Sequence, residues 1–113
     1  MRLRTAVLAA LSLGACAGLE LRGEVTGVRE IANKARERGA VKCSPKELAL
    51  ADAHLAFADA ELDQGSFGRA RDHLEIAEKN ARQAYVNSPP EQCAPMVVIA
   101  DRADSDGDGC TDD

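Results

Sequence analysis

Apolar residues in this 113-residue chain recur in steps of three and four along three separate stretches, and that spacing limits the fold more than any other feature. Leu21, Val25, Val28, Ala32 and Ala35 fall on one face of a first helix that should end near Gly39. Leu48, Ala51, Leu55, Ala58 and Leu62 do the same for a second helix, and Phe67, Ala70, Leu74, Ala77, Ala81 and Ala84 for a third. The punctuation agrees. Ser44-Pro45-Lys46-Glu47 restarts the chain with a capping serine, a proline suited to the first helical position and a glutamate where a capping box places its carboxylate. In Gln64-Gly65-Ser66, Gly65 can take the left-handed cap of one helix and Ser66 can cap the next, while Ser88-Pro89-Pro90 stops the third.

So short a turn forces the second and third helices into an antiparallel hairpin. Facing pairs then run Leu62 with Phe67, Ala58 with Ala70, Leu55 with Leu74, Ala51 with Ala77 and Leu48 with Ala81. That register brings Cys43, before the second helix, beside Cys93, after the third, and a bridge between them would close the open end; two unrelated thiols are the other reading. A staple matters here because the core is thin. Only Phe57, Phe67 and Tyr85 are aromatic, and alanine dominates the apolar count. The expected fold class is therefore all-α: a small antiparallel helical hairpin (44–86) inside a three-helix bundle (23–93), disulfide-stapled, with an irregular acidic tail over 94–113.

The N-terminus carries a different signal. Arg2 and Arg4 precede an apolar run from Ala6 to Leu13, and the small residues Gly14 and Ala15 stand before Cys16. Leu13-Gly14-Ala15-Cys16 resembles a bacterial lipobox. The resemblance implies that 1–15 is a lipoprotein signal peptide, that Cys16 carries a diacylglyceryl group on its thiol, and that cleavage before Cys16 exposes a new N-terminus for acylation. An ordinary cleavage region that happens to contain a cysteine is the alternative, and the run is too short to span a bilayer. Ala17, in a position where aspartate would signal retention at the inner membrane, favours the outer membrane. Residues 16–22 would form a lipidated tether, about six residues with an extended reach of roughly 20 Å, so that the bundle stays near the bilayer.

Export places the remaining cysteines in an oxidising space, where Cys43 and Cys93 can stay paired and Cys110 is left over. The net charge of −5 becomes about −7 once Arg2 and Arg4 are removed. That balance excludes nucleic acid as a partner and electrostatic adhesion to anionic lipid.

Two further resemblances concern the bundle. Gly65, Phe67, Ala70, Leu74 and Ala77, with Ala58 at a small-residue position, resemble one tetratricopeptide unit. More broadly, Cys16, Pro45-Lys46-Glu47-Leu48-Ala49, Ala58, Gly65-Ser66-Phe67, Ala70-Arg71 and Ala77-Glu78 resemble an alanine-rich lipoprotein domain of unknown function. That domain occurs in Gram-negative, especially delta-proteobacterial, proteins, often before a peptidoglycan-binding domain of the outer-membrane protein A type. It implies no catalysis.

Asp104, Asp106, Asp108, the Cys110 carbonyl and Asp112 have the spacing of oxygen ligands around a hard cation, and they resemble the opening of a thrombospondin type 3 calcium repeat. Two departures matter: Cys110 replaces the usual apolar seventh residue, and Asp113 comes before the twelfth-position carboxylate. A solvated acidic tail is the preferred reading and an incomplete calcium loop, with Cys110 finding a partner downstream, the alternative. No other cofactor is expected. His54 and His73 lie beside the hairpin seam and can approach across it, but a metal would need further ligands, so packed or solvated histidines are the simpler reading. Glu75 with Lys79 and Glu78 with Arg82 read as exposed helix pairs. With no nucleophile beside a base and no phosphate-cradling glycine loop, an enzyme is not expected.

The function expected from all this is a non-catalytic outer-membrane lipoprotein, facing the periplasm as a spacer or docking module. Its partners would be the membrane, through lipid, and either a protein or peptidoglycan bound by a further C-terminal domain. The alternatives are a standalone protein-interaction module and a calcium-responsive surface lipoprotein.

Overall fold

The computed structural model describes the backbone of residues 2–95 and the side chains of residues 16–95. Among the described residues there are five helices and no strand: α1 (Arg2–Glu37), α2 (Ala40–Cys43), α3 (Pro45–Asp63), α4 (Phe67–Val86) and α5 (Pro90–Cys93). The helices α3 and α4 form the expected antiparallel hairpin, and α1 packs against both. All the seam residues read from the spacing are buried except Phe67, which is partly buried against the same core. On each long helix the steps sum to seven residues, which keeps one narrow stripe turned inward. Alanines at so many of these positions let the helix axes approach closely, so a thin core still packs.

The hairpin turn is a Schellman cap. Gly65 has φ +73°, its amide donates to the Leu62 carbonyl at 3.0 Å, and the Ser66 amide donates to the Glu61 carbonyl at 2.8 Å. At the other end, Cys43 and Cys93 are disulfide-bonded, with Cα atoms 5.8 Å apart. Two single-turn helices that the periodicity does not announce, α2 and α5, carry these cysteines to each other.

Three local expectations are corrected. The tether over 16–22 is not extended; it belongs to α1, because no proline interrupts the chain there and Leu21, in phase with Val25 and Val28, is buried. Its reach is about 10 Å rather than roughly 20 Å. Ser44 and Ser66 do not cap backbone amides with their side chains. Instead the Ser44 hydroxyl donates to Glu47 Oε2 at 2.7 Å, and the Ser66 hydroxyl accepts from Arg69 at 2.9 Å. Glu78 and Arg82 pair at 2.7 Å as expected, whereas Glu75 with Lys79 is not among the ion pairs of the described residues.

Arginines on α1 also meet aspartates on α3, fixing the two helices antiparallel. Arg22 pairs with Asp63 at 2.9 Å, Arg29 with Asp59 at 2.6 Å, and Arg36 with Asp52. All three pairs are solvent-exposed, so each contributes at most about 1 kcal/mol, and their main effect is on orientation.

Candidate functional site

Cys16 lies on α1 with an exposed, unbridged thiol. Its end of the bundle is the end that holds the hairpin turn. Two residues along, a Cβ added at Gly18 would stand 3.3 Å from Phe67 Cε1, and one turn further Arg22 reaches Asp63, the last residue of α3. From Cys16 to Glu37 the helix rises about 32 Å, which carries the chain from the turn to the disulfide.

The disulfide end is built by close backbone approach. Gly39 has φ +96°, and a Cβ at that position would overlap the Cys93 carbonyl and lie 2.6 Å from the Ala94 nitrogen. Arg38 stacks on the Tyr85 ring at 4.1 Å and donates from Nε to the Ser88 carbonyl at 3.0 Å, while Lys42 donates to the Gln92 carbonyl at 3.4 Å. Ser44 and Ser88 are both buried there. The chain leaves this end through Ala94 and Pro95. Cys16 and the exit of the chain therefore occupy opposite ends of one rod.

The side of the hairpin away from α1 carries the histidines. His54 Nδ1 and His73 Nδ1 are 2.9 Å apart, with ring centroids 5.2 Å apart. Phe57 stands at 5.6 Å from the His54 centroid and 5.2 Å from that of His73, and half of its surface is exposed (51%). The seam register implied such an approach, but it left open which ring atoms meet. At the disulfide end the buried Ser44 hydroxyl donates to Glu47 Oε2 at 2.7 Å and accepts from Asn87 Nδ2 at 3.5 Å. A groove between α1 and α4 is lined by Ile31, Lys34, Arg82, Tyr85 and Val86.

The oxygen ligands expected for calcium, Asp104, Asp106, Asp108, Cys110 and Asp112, lie outside the described residues. No helix among the described residues is long and apolar enough to cross a membrane. Two features of the site are not legible in the sequence: the close approach of Gly39 to Cys93, and the arginine ladder of α1. The first needed the path of α5, and the second needed the side of α3 on which α1 lies. No family model, curated protein or solved structure matches the chain.

Proposed function

We propose that this protein is an outer-membrane lipoprotein whose helical rod acts as a non-catalytic periplasmic spacer. The observation that carries the reading is the polarity of the bundle. Cys16, where the lipid would be attached, is exposed at the turn end, and the chain departs from the disulfide end about 30 Å away. Helical continuity from Cys16 into the core means that an anchor there would hold the whole rod rather than a loose leader. A covalent staple at the far end suits an element that transmits position, because it prevents the hairpin from fraying where the next segment begins. A wall-binding segment following the acidic tail would make the rod the membrane-side half of a tether to peptidoglycan.

The test is radiolabelled palmitate incorporation with fractionation of the envelope. The wild-type chain takes up label and sediments with outer membrane, and Cys16→Ser does neither. Label retained by Cys16→Ser, or wild-type protein recovered unlabelled in the soluble periplasm, overturns the reading.

A further inference from the structure

We infer that the outer face of α3 is the contact surface of a reversible dimer, in which it meets the same face of a second copy of this chain in antiparallel orientation. The helix is apolar on two sides. Leu48, Ala51, Leu55, Ala58 and Leu62 are buried in the core, and directly opposite them Ala49, Ala53, Ala56 and Ala60, with Leu50 and Phe57, are exposed. At 3.6 residues per turn these outward positions cover about 120° of the helix, as wide as the stripe that an amphipathic helix normally buries. No charge interrupts them between Lys46 and Gln64. Every polar side chain in that interval turns to the flanks, where it is already engaged: Asp52, Asp59 and Asp63 with arginines of α1, His54 with His73, Glu61 with Arg69 and Glu47 with Ser44. The outward faces of the other long helices carry charge instead, including Glu20, Glu24 and Glu30 on α1 and Arg71, Glu75 and Lys79 on α4.

The face is complementary to itself. Placed antiparallel about the midpoint of α3, Ala53 meets Ala56 of the second copy and Ala49 meets Ala60, so the helix axes can close to about 8 Å. The same register sets Leu50 beside Phe57 along one edge, which the exposed Ile76 of α4 extends. It also sets Lys46 opposite Asp63 at the C-terminal end of the other α3, where a cation is favoured both by the carboxylate and by the helix dipole. A parallel pairing would bring Lys46 against Lys46 instead. The Phe57 ring is half exposed yet already held against His54 and His73, at 5.6 and 5.2 Å, so little side-chain freedom is lost on contact. One face about 27 Å long and about 10 Å wide falls short of the roughly 800 Å² per partner of a standard stable interface, so association depends on concentration rather than being obligate. The pairing is a property of the bundle; it goes beyond the spacer reading and does not rest on lipid at Cys16.

The experiment is sedimentation equilibrium of the intact chain, with carbodiimide crosslinking of mixed isotopically light and heavy protein read by mass spectrometry. Association rises with concentration, and Ala53→Glu and Phe57→Glu each weaken it by at least about tenfold, because like charges then meet in the contact. Val86→Glu, at an exposed position on α4, leaves it unchanged. A crosslink from Lys46 to Asp63 joins light chains to heavy ones, since within one copy the two residues stand about 25 Å apart along α3. A monomer at every concentration up to about 1 mM overturns the pairing and leaves the face to the chain's own Met96–Ala100 run or to a helix of another protein. Association undiminished in both glutamate variants overturns it as well and places the contact elsewhere, as on the apolar run from Ala6 to Leu13. The wild-type crosslink decides the register even if a variant fails to fold, and its absence from the dimer overturns the antiparallel arrangement.

Discussion

At the scale of single residues, two glycines of positive φ differ in what surrounds them. Gly39 has both a left-handed backbone and the Cys93 carbonyl pressed against it, whereas Gly65, at φ +73°, has open space where a Cβ would go. Gly65→Ala should lower stability by about 1 kcal/mol, the cost of the backbone conformation alone. Gly39→Ala should lose clearly more, about 3 kcal/mol or greater, because the carbonyl must also move. Chemical denaturation of the two variants compares them directly, and equal losses would show that the approach to Cys93 is not tight.

Ser44 and Glu47 make a second test. The Ser44 hydroxyl bond, with a backbone hydrogen bond and nearby Lys46 adding to it, holds the Glu47 carboxyl below the usual glutamate range. A depressed carboxylate stabilises the fold above its unfolded pKa of about 4.3, and that contribution is lost as pH falls through the lower folded value. Melting temperature followed from pH 6 downward (about the range where glutamates titrate) should therefore fall less steeply for Ser44→Ala than for the wild type. Parallel curves would remove the pair from the acid response.

Between elements, the hairpin rests on alanine at the helix contact. Ala58 and Ala70 are both fully buried in the core shared by the hairpin helices, so Ala58→Leu should cost about 1–3 kcal/mol through overpacking, measured by urea unfolding. The disulfide contributes on a similar scale. Its 50-residue separation corresponds to about 4 kcal/mol in the chain-entropy model, and a Cys43→Ser, Cys93→Ser double variant should lose most of that against the oxidised wild type.

The seam was legible in the sequence because burial needs a repeat of three and four, and nothing else in these stretches competes with it. Leu55 opposite Leu74 and Cys43 beside Cys93 follow from one short turn. The caps were read less well. Serine in a capping position has other acceptors and donors within reach, and the Ser44 hydroxyl donates to Glu47 Oε2 while its oxygen accepts from Asn87 Nδ2 rather than from a backbone amide. The start of α1 was misplaced for a similar reason, since small residues around Cys16 satisfy a peptidase and a continuous helix equally well. His54 and His73 could be placed on neighbouring helices from their register, but ring orientation depends on packing against Phe57, which spacing does not encode.

Considered as a whole, the molecule is a stapled rod with different chemistry at its two ends: an exposed cysteine beside the hairpin turn, and a disulfide where the chain departs. Thin cores of this kind are marginal alone, and the covalent bond, the arginine ladder and close alanine packing together make a stiff element from few large side chains. The acidic balance of the chain disfavours electrostatic adhesion to anionic lipid headgroups, so the proposed function requires a covalent lipid at Cys16 rather than charge to hold the rod at a membrane.

That requirement can be read from intact-mass spectrometry of the protein purified from envelopes. The account predicts a mature chain beginning at Cys16, heavier than its sequence by a diacylglyceryl group and an N-acyl chain, with Cys43 and Cys93 oxidised. A chain whose first residue is unmodified, or one that retains Met1 to Ala15 without added lipid, would contradict it.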